Sequence, residues 1–226
     1  MKHLIFDAGP IISLTMNGLL GVVEKLKKEF DGEFIITPQV KREIIDKPLK
    51  IKKYQLEGVR VNDLLRRGVL KLSSKFVSNS QLQKEVRRIS ELANTSFVAD
   101  KRMGNEKIKL IQEGETSCLA FSKLCNCENV IVVDERTVRM LAEAPENLRN
   151  TMEKKLHVKI NMNQKNLKQL KNFKFIRSAE LLYIAYKKNL IDLKKDKNLL
   201  DALLYAVKYK GAAISSDEIN EIKGMA

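Results

Sequence analysis

Apolar residues follow two rhythms along this chain. Short runs stand at residues 3–7 (His-Leu-Ile-Phe-Asp), 34–36 (Phe-Ile-Ile) and 129–133 (Asn-Val-Ile-Val-Val). Compact runs of this kind predict short strands, and the β-branched 129–133 run suits a parallel sheet covered on both faces. Elsewhere the apolar positions recur at helical spacing. Ile11, Ile12, Leu14, Leu19, Leu20, Val22 and Val23 predict a helix reaching about Phe30, entered by a turn at Gly9-Pro10 and closed by one at Asp31-Gly32. Thr37-Pro38 opens the next helix, with Thr as N-cap and Pro at the first helical position. That helix runs through Val40, Glu43, Ile44 and Ile45 and stops before Pro48.

Residues of about 47–112 differ in character. Tyr54 to Arg67 is amphipathic and basic, Val69 to Leu72 reads as a short strand, and Gln81 to Met103 reads as a longer helix. The region has few large apolar residues for a core of its own, so it is expected to be a helical insertion. The α/β pattern resumes at Gly114, with a helix from Glu115 through Leu124 and another from Arg136 to Ala144. Residues 147–172 show no clear period beyond a strand signal at His157–Ile160. Phe173–Ile176 predicts the last strand, Ser178 caps a helix over Ala179–Lys188, and a final helix covers about Asn198 to Lys210. Strands alternating with helices predict an α/β fold with a mostly parallel sheet.

A length of 226 residues, 44% hydrophobic, suits one globular domain over 1–226 with an insertion. The net charge of +14 favours a polyanionic partner over an ordinary mixed surface. Three cysteines, Cys118, Cys125 and Cys127, form an odd set that points to a reducing cytoplasm. Cys118 and Cys125 share a helix face and read as core. Zinc is not expected, because His3 and His157 lie far from the cysteines in sequence. Apolar runs fall short of a membrane span, and the amino terminus enters a strand directly, so neither membrane nor targeting segment is expected.

Two strands end in aspartate, Phe6-Asp7 and Val133-Asp134. In a parallel sheet these carboxyl ends share one edge, where ligands bind. Glu43, in the helix after the second strand, and Glu115, in a helix first turn, can reach the same edge. Each acid also has a plain reading: a turn residue for Asp7, an exposed helical acid for Glu43, a dipole-matched first-turn acid for Glu115 and an N-cap for Asp134. Together they make a candidate site whose repelling carboxylates call for a cation. Oxygen donors without His or Cys favour Mg²⁺ or Mn²⁺.

The segments Ile5-Phe-Asp-Ala-Gly-Pro-Ile-Ile-Ser-Leu, Phe34-Ile-Ile-Thr-Pro-Gln-Val-Lys-Arg-Glu, Gly114-Glu-Thr-Ser-Cys-Leu-Ala-Phe-Ser and Val132-Val-Asp-Glu-Arg resemble the PIN-domain family, in particular its prokaryotic subgroup related to VapC toxins. The tail from Ala179 through Leu199-Leu-Asp-Ala-Leu is similar to that subgroup's closing helices. The resemblance covers both ends of the chain and leaves out most of 47–112. It implies a three-layer Rossmann-like fold and Mg²⁺- or Mn²⁺-dependent hydrolysis of RNA phosphodiesters. It implies that Asp7, Glu43, Glu115 and Asp134 are the metal ligands and catalytic acids, with Asp7 and Asp134 as anchors and Glu135 adding outer charge. It further implies a homodimer and, for a toxin, an antitoxin protein partner. Ala8-Gly9 departs from the hydroxyl or amide residue that many PIN domains place after the first Asp; Ser13 is the nearest hydroxyl.

Arg136 and Arg139 follow Asp134 and are candidates to grip the scissile phosphate, with surface ion pairing as the alternative. Lys84, Arg87 and Arg88 read as a solvated face or an RNA clamp. The leading expectation is an endoribonuclease acting on single-stranded or structured RNA. The alternative is a non-catalytic RNA- or protein-binding module of the same fold.

Overall fold

Strand β1 (Lys2–Phe6) sits at the centre of a five-stranded sheet ordered β3-β2-β1-β5-β7, every pairing of which is parallel. Its partners are β2 (Glu33–Ile36) and β5 (Glu128–Val132), flanked by β3 (Leu70–Leu72) and β7 (Phe175–Ile176). This computed structural model describes residues 2–99 and 110–225. Successive strand side chains point to opposite faces, yet Ile5, Phe6, Phe34, Ile35 and Ile36 are all fully buried. Both faces of the sheet are therefore covered, which is the packing that near-continuous apolar strands demand. The chain steps from β1 towards β2 and β3 on one side and returns to β5 and β7 on the other. The switch point lies between the carboxyl ends of β1 and β5, where α/β sheets place their ligands.

The first helical stretch differs from the sequence pattern. Gly9-Pro10 is not a turn but the opening of α1 (Ala8–Met16), where a proline costs no intrahelical bond. The apolar stripe is split at Asn17-Gly18, with Gly18 at φ +70°, and resumes as α2 (Leu20–Glu29). Helix α3 (Pro38–Lys41) is capped as expected, Thr37 Oγ1 accepting from the Val40 amide at 3.2 Å.

The region expected as a helical insertion is part of the main body. It supplies β3, paired in parallel with β2, and buries Val61 and Leu64 of α4 (Gln55–Arg66). Helix α5 (Asn79–Asn94) packs on α6 (Glu113–Leu124) through Leu82, Val86, Ile89 and Ala93. The sparse apolar content of the region reflects sharing of one core with the rest of the domain. Helix α5 is shorter than the expected 81–103 helix: Thr95 and Ser96 hydroxyls bond back to Glu91 and Leu92 carbonyls, and β4 (Phe97–Ala99) follows. Residues 100–103 of that expectation lie outside the described residues.

The unreadable stretch is α8 (Pro145–Leu156), β6 (Ile160–Met162) antiparallel to β4, and α9 (Gln164–Gln169), preceded by α7 (Arg136–Glu143). Helices α10 (Ser178–Lys187) and α11 (Leu199–Tyr209) close the core, and α12 (Ser216–Gly224) lies beyond the last expected helix. Among the described residues no helix is long and apolar enough to cross a membrane.

Candidate metal centre

Asp7 follows β1 directly and is the N-cap of α1. Its amide donates to the Val132 carbonyl at 3.0 Å, which fixes it beside β5. Asp134 stands two residues past β5, on the other side of the switch point. Its main-chain oxygen accepts from the Ala213 amide at 3.1 Å. Its carboxylate accepts from the Ser178 amide and from the Ser178 hydroxyl, each at 2.8 Å. Ser178 is therefore not the N-cap of α10 but a clamp that orients Asp134, while Glu180 bonds the Arg177 amide at 2.7 Å.

Glu43 projects from a π-helical turn, Arg42–Asp46, that continues α3. A buried contact of 2.6 Å between Thr37 Oγ1 and Ser117 Oγ holds the start of α3 against α6. Glu115, in the first turn of α6, uses Oε2 to accept from the Gln112 amide at 2.6 Å. It thus caps its own helix as well as facing the site. Gly114 makes room for the others: a Cβ there would lie 3.0 Å from Glu43 Oε1 and 3.3 Å from Asp7 Oδ1.

The structure brings Asp7, Glu43, Glu115 and Asp134 to one cavity of about 230 Å³, lined also by Glu135 and Lys210. Burial pushes the Asp7 pKa up to about 6, reinforced by the Glu43 and Asp134 charges and opposed by the Ala8 and Gly9 amides. Burial likewise raises Glu115 to about 7, with Asp7, Glu135 and Glu43 adding repulsion against the Gln112 amide. Glu43 is raised by burial and by the Glu113 charge, against Lys47 and Arg42. Asp134 is raised by burial, against its two bonds from Ser178. All four acids are thus held above their ordinary range, chiefly by burial, a cost that a cation bound among them would offset. The donors are all hard oxygens, which suits Mg²⁺ or Mn²⁺. No three of them, among the described residues, bring one oxygen each within 4.8 Å of one another.

The three candidate substrate contacts lie elsewhere. Arg136 is exposed at the start of α7 and does not line the cavity. Arg139 is half-buried, its Nη2 donating to the Ala213 carbonyl at 3.1 Å. Ser13 is buried in α1 with its hydroxyl unpartnered, so it neither bonds backbone nor reaches the cavity. Sequence reasoning missed Lys210 and Ser178. Nothing local marks Lys210, since it reaches the cavity only because α11 ends there. Arg177 was also missed; it holds the tail near Asp134 by bonding Glu218 at 2.6 Å and the Ala213 carbonyl at 3.2 Å.

At the other end of β1, His3 Nδ1 lies 3.2 Å from Cys125 Sγ and 3.2 Å from Cys127 Sγ. Distance along the chain was thus a poor ground for separating histidine from cysteine. Cys118 is buried and free, whereas Cys125 follows α6 and is joined to Cys127 by a disulfide. No family model, curated protein or solved structure matches this chain.

Proposed function

We propose that this chain is a Mg²⁺- or Mn²⁺-dependent endoribonuclease of the PIN type. The observation that carries the reading is the convergence of four acids from four separate segments on one cavity of a protein with net charge +14. Asp7 and Asp134, one on each side of the switch point, are the anchoring ligands. Glu43 and Glu115 complete the oxygen set. When bound, the cation supplies an activated water and neutralises charge that builds on the phosphodiester. Glu115, one of whose oxygens is held by the Gln112 amide, would orient the attacking water with the other. Lys210 lines the same cavity and offers an ammonium to a phosphate oxygen.

The test is incubation of the purified chain with labelled single-stranded RNA, with and without Mn²⁺, beside Asp7→Asn and Asp134→Asn. Cleavage that needs the metal and is lost in both variants is the expected result. RNA binding without cleavage, indifferent to metal and to both substitutions, would replace the enzyme with a binding module.

A further inference from the structure

The amino edge of the sheet carries chemistry that the carboxylate cavity does not use. The β1–β5 register sets His3 opposite Asn129, so the ladder itself delivers the imidazole to the turn between α6 and β5, where Cys125 and Cys127 stand. The ring is 3% exposed, with Phe76 edge-on at 4.8 Å and Phe121 stacked at 6.1 Å between centroids. Packing therefore fixes where Nδ1 points, and it points at both sulfurs. Nε2 is buried without a partner, so the sulfur contacts are the polar anchor of this ring. Cys127 also opens on a surface cavity of about 510 Å³ lined by Lys123, Lys168, Lys171 and Lys174.

We propose that His3, Cys125 and Cys127, in the dithiol form, bind a thiophilic divalent cation of the zinc class, with the fourth coordination position facing the cavity at Cys127. One imidazole nitrogen and two sulfurs, all within 4.8 Å of one another, are the donor types such ions select. Metal–sulfur and metal–nitrogen bonds of about 2.3 and 2.0 Å put tetrahedral donors roughly 3.6–3.8 Å apart. Nδ1 is already close to that spacing from both sulfurs, and the sulfurs need only separate from their mutual bond. Two thiolates neutralise the dication, so the neighbouring lysines do not oppose its binding, and their charge favours the thiolate form. The disulfide is the metal-free oxidised state. A dithiol reductant opens it by giving two electrons and two protons, closing into a disulfide itself, and the incoming cation then displaces the two thiol protons. The bound ion clips the start of β1 to the α6–β5 turn.

Co²⁺ alone, titrated anaerobically into the reduced full chain, reports on this site. The expected result is a thiolate-to-cobalt charge-transfer band with the intense visible bands of four-coordinate cobalt, saturating at one ion per chain and lost on adding Zn²⁺. Cys125→Ser and Cys127→Ser are each expected to lose the band, and His3→Ala to weaken binding at least about tenfold. Asp7→Asn and Asp134→Asn are expected to keep it, which separates this site from the carboxylate cavity. A folded chain whose disulfide resists reduction overturns the proposal. So does a reduced chain without the band, or a band that survives both serine variants.

Discussion

At Asp7 the protein holds a carboxyl against its own preference to ionise in water. The folded chain keeps that proton up to about pH 6, whereas the ordinary value is 3.8. Below about pH 4 both folded and unfolded chains hold it, and folding carries no penalty there. As pH rises from about 4 to above 6, the unfolded chain releases the proton first, and stability falls. A gap of about two pKa units corresponds to roughly 3 kcal/mol. Asp7→Asn removes the titration, so at neutral pH the metal-free variant is expected to be more stable than the wild type. The comparison is best made as a difference in unfolding free energy between the two chains. That difference is expected to open between about pH 4 and 7 and to close when Mn²⁺ saturates the wild type. A pH-independent difference, or a variant less stable at neutral pH, would contradict a strained acidic site.

Helix α6 shows how an element shapes the site through what it omits. Gly114 stands in its first turn, and its backbone is not in the left-handed region. Alanine there favours the helix by about 0.5–1 kcal/mol, the usual glycine penalty. The same methyl meets Glu43 Oε1 at 3.0 Å and Asp7 Oδ1 at 3.3 Å, so both carboxylates must shift. Gly114→Ala is therefore expected to leave the melting temperature unchanged or higher while cutting metal-dependent cleavage about 10- to 100-fold, as misplaced catalytic groups do. Full activity in this variant would remove Glu43 and Asp7 from the chemistry. Elements whose signal is local were legible in advance: the β-branched run of β5, the Thr37-Pro38 opening of α3, and the acids that end strands. What stayed hidden depends on contacts between distant segments. Three residues of β3 carry too little pattern to announce pairing with β2. Ser178 looked like a cap because serine suits that position, and only the approach of Asp134 gives it another partner. His3 and the Cys125–Cys127 pair are separated by more than half of the chain's length, and only strand register joins them.

For the whole molecule, a net charge of +14 coexists with an acidic cavity, so in a nuclease of the proposed kind the attraction of RNA and its cutting would fall to different charges. Lys210 is where the two meet. It ends α11, is exposed, and lines both the carboxylate cavity and an adjoining apolar groove of about 440 Å³ that includes Ile12, Met16 and Tyr54. A strand crossing the cavity would pass this ammonium while its bases reach the groove. RNA affinity, measured with the Asp7→Asn chain so that nothing is cut, is expected to fall at least about tenfold between 50 and 200 mM salt. Each phosphate neutralised on a single strand contributes roughly 0.7 to the slope of log affinity against log salt. Lys210→Ala in that background is expected to lower the slope by about this amount, and in the active chain to slow cleavage. Cysteine and histidine variants at the amino edge are expected to leave the slope alone. An unchanged slope in Lys210→Ala, with undiminished cleavage, would move the path of the RNA away from α11 and leave the acids to be reached from another side.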